Sequence, residues 1–223
     1  MAAVFTVGCV LAAAADAPLS NGPSGDVRAI VAQTQNLRPE VLELALDAFN
    51  VARAQGRVRR PVLTVIDYEL PSYKQRLWVI DIKSRRVLYE EWVAHGMGNP
   101  RGSGGTMEEA LSFSNAPGTL KSSLGLFVTA ETYRGKHGYS LKLDGLEPGV
   151  NDAARERLIV IHSADYVTRD RAEAHLVGRS WGCPVIRPKV AKKLIDSIKG
   201  GSVLWIYYPE SSWLEASSFL ADQ

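Results

Sequence analysis

The chain is poor in cysteine: it has two in 223 residues, Cys9 and Cys183. That excludes a disulfide-stapled scaffold, which needs several pairs. It also lacks an excess of charge. Its 26 basic side chains face 24 acidic ones, for a net charge of +2. With no basic stretch interleaved with aromatics, this balance argues against nucleic acid as a partner. The four histidines include no close ligand pair such as His-x-x-x-His, so neither a metal site nor another cofactor is expected. The apolar run near the start is shorter than the roughly 20 residues of a membrane span. No stable membrane anchor is therefore expected. No internal repeat is visible. What the chain does have is a hydrophobic content of 46% against 22% charged, which calls for a packed core rather than disorder.

Four segments follow from local composition. Residues 1–17 join an apolar stretch to small residues, as in a secretory signal, although the basic start is missing. Ala13-Ala14-Ala15 is the expected cleavage point. Export to the periplasm is the preferred reading; an apolar N-terminal helix of a cytosolic protein is the alternative. Export would remove Cys9 and leave Cys183 without a partner, hence reactive or intermolecular. Residues 18–60 read as a linker, rich in Pro, Gly, Ser, Asn and Gln to position 37, followed by a helical extension. Pro39 suits a first helical turn. Val41, Leu42, Ala45, Leu46, Phe49 and Ala52 share one helical face, and Gly56 stops the helix. This helix is expected to pack against the main domain.

Residues 61–209 read as that domain. Apolar, β-branched runs occur at 62–66, 76–81, 87–93, 125–132, 139–143, 158–162 and 202–208, with turn signals between them. One helix is expected from Pro188, buried through Val190, Leu194, Ile195 and Ile198 and ended by Gly200-Gly201. The fold class is therefore mainly β: a curved sandwich or barrel-like pair of sheets, with a helical N-terminal extension and one or two short helices. Residues 210–223 read as a C-terminal tail, and the protein as a monomer. The long Gly-, Ser-, Asn- and Pro-rich stretch from His95 to Ser123 is expected to be functional or mobile.

Chemistry concentrates near Cys183, in the turn Ser180-Trp181-Gly182-Cys183-Pro184. Upstream, the apolar run Leu158–Ile161 closes on His162-Ser163. A thiol attacks only as the thiolate, and its ordinary pKa is about 8.5. An imidazole is the usual activator. Cys183 is thus a candidate nucleophile for an amide carbonyl, with His162 accepting the thiol proton and later protonating the leaving amine. The backbone oxygen of Ser163 could orient the other ring nitrogen. Gly182, lacking Cβ, lets backbone N–H groups approach a forming oxyanion. An amine acceptor would make the reaction a transfer; water would make it a carboxypeptidase reaction. Trp181 either limits water at the thiol or anchors the turn. His137 is either a second polar group in the groove or a surface loop residue. Tyr133 and Tyr139 either line the groove or belong to the core. His95 and His175 are expected to be structural or exposed.

The 17 residues between His162 and Ser180, followed by Ser-x-Gly-Cys, resemble the motif of the L,D-transpeptidase catalytic domain, or YkuD-like, family. The resemblance runs through much of 62–208. It includes Ser122–Thr129, Tyr133–Leu141, Ile161–Val167 and Gly178–Cys183, and it is nearest to the divergent murein L,D-transpeptidase branch. Two departures stand out. Trp181 replaces the family's usual histidine before Gly-Cys, and Pro184-Val185 replaces its hydrophobic-Asn pair. The resemblance implies cysteine-dependent acyl transfer on peptidoglycan stem peptides through a thioester on Cys183. Ser180, Arg187, Tyr133, His137 and Tyr139 are the candidate substrate contacts. The alternatives are an L,D-carboxypeptidase and a non-catalytic cell-wall-binding module. No separate peptidoglycan-binding repeat is visible, which weakens the last.

Overall fold

A computed structural model describes residues 24–220. The expected signal over 1–17, with Cys9, lies outside the described residues. The first element is a short helix, α1 (Gly25–Val31), followed by α2 (Pro39–Ala54). Part of the expected linker is therefore a packed helix. Ser24 caps α1 by accepting a hydrogen bond from the Val27 N–H at 3.3 Å, and Val27 and Ile30 are buried. The Ser and Gly residues that read as linker are the helix's own start. α2 begins at Pro39 as expected, and Val41, Leu42, Ala45, Ala48, Phe49 and Ala52 are its buried residues.

Nine strands follow. They are β1 (Val62–Asp67), β2 (Leu77–Asp81), β3 (Arg86–Glu91), β4 (Val93–Ala94), β5 (Gly125–Gly135), β6 (Gly138–Gly145), β7 (Val160–Ser163), β8 (Val185–Ile186) and β9 (Val203–Tyr207). Between them lie α3 (Arg169–Glu173) and α4 (Pro188–Ile198), and α5 (Ser211–Ala216) comes last. The strands join in the order β3-β2-β1-β9-β5-β6-β7-β8-β4. β3 and β4 are opposite edges of this sheet, yet only Trp92 separates them in the chain. The sheet must therefore curl until its edges meet. Of the two expected forms, a nearly closed barrel is the one that forms.

Two arginines bind across the meeting edges. Arg76, fully buried before β2, donates to the Val93 carbonyl from Nε at 3.1 Å and Nη2 at 2.9 Å. Arg187, after β8, grips Glu91 through two bonds of 2.7 and 2.6 Å. Its guanidinium also lies over the Trp92 ring.

The interior is aliphatic and aromatic, with Trp78, Trp205, Phe49 and Phe127 among its fully buried side chains. Each such residue contributes about 2 kcal/mol through removal from water. α2 rests against β1 and β9, and α4 against β6 and β7. The expected tail is also partly core. Trp213 in α5 lies 5.1 Å from Trp205 and donates to buried Glu147 at 3.0 Å. Leu158, read as strand, instead sits at φ +58° and is exposed, so β7 starts at Val160. The two-residue strands β4 and β8 are too short to register as an alternating pattern.

Candidate active site

The parallel pairing of β7 with β8 sets His162 opposite Val185. Cys183, two residues before Val185, is then level with Val160, and the Val160 N–H reaches its Sγ at 3.5 Å. Side chains two apart on a strand share a face, so Val160 and His162 point to one side of β7. Cys183 and His162 consequently line one cavity of about 200 Å³, with Lys136, His137, Tyr166, Arg179, Ser180 and Trp181. Larger grooves elsewhere, of about 590 and 680 Å³, contain no cysteine or histidine. Among the described residues, no three His, Cys, Asp or Glu side chains converge as a metal site.

The His162 tautomer is fixed by its neighbour. Nδ1 lies 3.0 Å from the Ser163 carbonyl. A carbonyl can only accept, so Nδ1 carries the hydrogen and Nε2 keeps its lone pair. Burial holds the His162 pKa below its usual value; nearby His137 and Lys136 lower it further, while the Ser163 carbonyl works the other way. Burial pushes the Cys183 thiol up, against the Val160 N–H, Arg157 and Lys136. Both shifts favour the neutral forms of the two groups.

The cysteine turn is held by its own side chains and by the segment behind it. Ser180 Oγ donates to the Cys183 carbonyl at 2.7 Å and accepts from the Gly182 N–H at 3.1 Å. Its hydroxyl is spent inside the turn, where a substrate contact was expected. The Gly182 N–H is spent with it, which removes it from the backbone donors that could face an oxyanion. The Cys183 N–H has no acceptor among the described residues. Gly182 itself is required: its φ is +112°, and a Cβ there would lie 2.7 Å from the Lys121 carbonyl. Ser122 Oγ donates to the Gly182 carbonyl at 3.1 Å and accepts from the Gly96 N–H at 3.0 Å. The Met97 N–H donates to the Ser180 carbonyl at 2.8 Å. The 95–123 stretch is therefore the support of the cysteine turn.

Arg157 locks that support. It donates to the Ser114 carbonyl and the Ser123 hydroxyl at 2.6 Å each, and to the Lys121 carbonyl at 2.7 Å. Deeper in, Arg76 donates to His95 Nδ1 at 2.9 Å, and His95 Nε2 reaches the Thr106 carbonyl at 3.1 Å. Burial and the Arg76 charge take the His95 pKa down to about 3, so His95 stays neutral and structural, as expected.

The remaining expected contacts divide. His137 enters the site: its ring stacks on His162 at 4.4 Å and 25°. Trp181 stands at the cavity rim, 64% exposed. Three residues lie outside the cavity lining. Arg187 is bound to Glu91 at the barrel seam. Tyr139 donates to Asp196 at 2.7 Å. Tyr133 is exposed beneath Lys142. His175, against Tyr73 and Glu108, is also elsewhere. Sequence reasoning missed Lys136, Tyr166, Arg179 and Arg157. The first three fall inside the motif segments quoted above; Arg157 carries no local signal.

Residues 33–207 match the family model of the L,D-transpeptidase catalytic domain. No curated protein matches the chain. Among solved structures, an L,D-transpeptidase from Mycobacterium smegmatis is 14% identical, with 66% of this chain and 59% of that one covered at a TM-score of 0.38. The chain thus spans about three-fifths of that relative. An L,D-transpeptidase (Yku) from Stackebrandtia nassauensis is 15% identical, over 76% and 68% of the two chains, at 0.39. The helical cell shape determining protein Pgp2 from Campylobacter jejuni is 11% identical, over 69% and 49%, at 0.43. It is the family match, spanning most of the barrel and both halves of the Cys183–His162 cavity, that makes this chain a member of the L,D-transpeptidase catalytic domain family.

Proposed function

We propose that the protein transfers acyl groups between peptidoglycan stem peptides through a thioester on Cys183. The observation that carries this reading is the shared cavity of Cys183 and His162, with His162 Nε2 left free by the Ser163 carbonyl. In the first half-reaction Sγ attacks the amide carbonyl while its proton passes to His162 Nε2. The C–N bond then breaks, and His162 returns that proton to the departing amine. In the second half-reaction an acceptor amine attacks the thioester. His162 takes a proton from the amine and supplies one to the departing sulfur. The Cys183 N–H is the backbone donor available to the carbonyl oxygen as it gains charge.

The catalytic unit in this reading is 61–209, and 18–60 supports it as an extension. Its substrate polymer puts the working protein outside the cytoplasm, in the periplasm. The test is product analysis by mass spectrometry after incubation with tetrapeptide stems. Cross-linked dimers from the wild type, absent with Cys183→Ala, are the expected result. Shortened stems without dimers would assign water as the acceptor. Equal products from Cys183→Ala would overturn the reading.

A further inference from the structure

Among the described residues, the lining of the cavity beside Cys183 includes basic residues and no acid. Arg179 is engaged by the Gly105 carbonyl. Lys136 is in a different position. Lys142 is held by Glu131, and Lys192 and Lys199 by Asp196. Among the described residues Lys136 has no such carboxylate. Its ammonium instead lies over the Trp181 ring, 5.4 Å from the centroid. A ring face attracts a cation without a hydrogen-bond acceptor, and Lys136 belongs to the cavity lining, so its donors are available to a ligand there.

The turn that carries Lys136 is also held in place. Lys136 and His137 form the two-residue turn between Gly135 and Gly138, which pair across β5 and β6. The stack of His137 on His162 fastens this tip to the site. Behind the thiol, Arg157 donates to carbonyl and hydroxyl oxygens. Two cations thus flank Cys183 without a carboxylate on either among the described residues, an arrangement that favours an anionic ligand.

We propose that Lys136 is a specificity-determining residue: its ammonium pairs with a free carboxylate of the acyl donor next to the bond that Cys183 attacks. The proposal rests on the acyl-transfer reading above. Two groups of a stem peptide offer this chemistry, the α-carboxylate of the leaving residue and the side-chain carboxylate of the diamino acid.

The experiment compares wild type with Lys136→Met, which keeps the aliphatic stem over Trp181 and removes the charge. Thioester formation on Cys183 is followed by intact mass with three donors: the free acid, the terminal carboxamide and the diamino acid side-chain carboxamide. In the wild type one amidation should slow the reaction roughly two- to fivefold, the range of an exposed ion pair. That donor identifies which carboxylate is read. In Lys136→Met the same amidation should make little difference. A ratio as large in Lys136→Met as in wild type would overturn the proposal, as would a wild type indifferent to both amidations.

A second readout needs no peptide. Cys183 alkylation by anionic iodoacetate is compared with neutral iodoacetamide. The iodoacetate-to-iodoacetamide ratio should fall several-fold in Lys136→Met, and an unchanged ratio would overturn the carboxylate subsite. Absence of any thioester on the wild type, with that ratio still falling, would overturn the acyl-transfer reading while leaving an anion-binding Lys136.

Discussion

The two sides of the Cys183 cavity are built on opposite terms. The wall behind the thiol is closed and internally bonded. Ser180, Ser122 and Arg157 together spend their donors on the cysteine turn and on the segment that backs it. The rim is open. Trp181 is 64% exposed, and Lys136 has no carboxylate partner among the described residues. The wall fixes where sulfur, imidazole and backbone N–H stand. The rim is left to meet a substrate. Damage to the wall should therefore cost geometry and stability, and damage to the rim should change selectivity and rate by smaller factors.

The largest effect belongs to the residue where the two sides meet. His162→Ala should slow thioester formation by about 10²- to 10⁴-fold, the usual contribution of a positioned general base. Stopped-flow or quenched mass measurements would read this. A loss below tenfold would mean that another group takes the thiol proton.

Within the wall, Arg157→Met removes a guanidinium from two carbonyls and a hydroxyl. The cost should be about 3 kcal/mol, because partly buried acceptors lose a charged donor. For a chain of this size that is a fall in Tm of about 8 °C, measurable by calorimetry. An unchanged Tm would show that the wall does not depend on this lock. Gly182→Ala should cost about 2 kcal/mol from a non-glycine residue at positive φ and, by moving Cys183, lower acylation more than stability. Urea melts paired with acylation rates would separate the two. Wild-type rates from this variant would show that the turn tolerates a Cβ.

The smallest effect is expected at the rim. His137→Ala removes the ring stacked on His162 and should reduce acylation about threefold, as for a modest polar contact. It also has a pH signature. Burial and His137 hold the His162 pKa down. Removing His137 exposes His162 and lets that pKa rise toward its ordinary value. The base form is then lost at higher pH, so the acid limb of the rate profile should move up. A limb that stays in place, or moves down, would contradict the assigned contact.

How much of this was legible in the sequence follows the same division. Cys183, His162 and the orienting Ser163 carbonyl could be read because they lie in short, contiguous segments with a fixed spacing. The strands that carry the core could be read from runs of β-branched and apolar residues, and α4 from its proline start and glycine stop. Barrel closure could not be read. It rests on β4 and β8, two residues each, and on Arg76 and Arg187 binding groups on β4 and β3 across the seam. Arg187 illustrates the limit: nearness to Cys183 in sequence suggested substrate contact, but the turn into α4 carries its side chain to Glu91. Arg157 was invisible for the converse reason. Its partners are more than 30 residues away, and only the folded 95–123 segment brings them to it. Lys136 stood in a family-like segment, but the lack of a counter-charge beside it among the described residues is a property of the assembled cavity.

The central claim is that this wall presents Cys183 to accept an acyl group with His162 as its base. The most direct test is the intact mass of the wild-type protein after brief exposure to a tetrapeptide stem, followed by peptide mapping. A gain equal to the acyl fragment, on the peptide containing Cys183 and absent from Cys183→Ala, is the predicted result. No adduct, or the same adduct on Cys183→Ala, would contradict it.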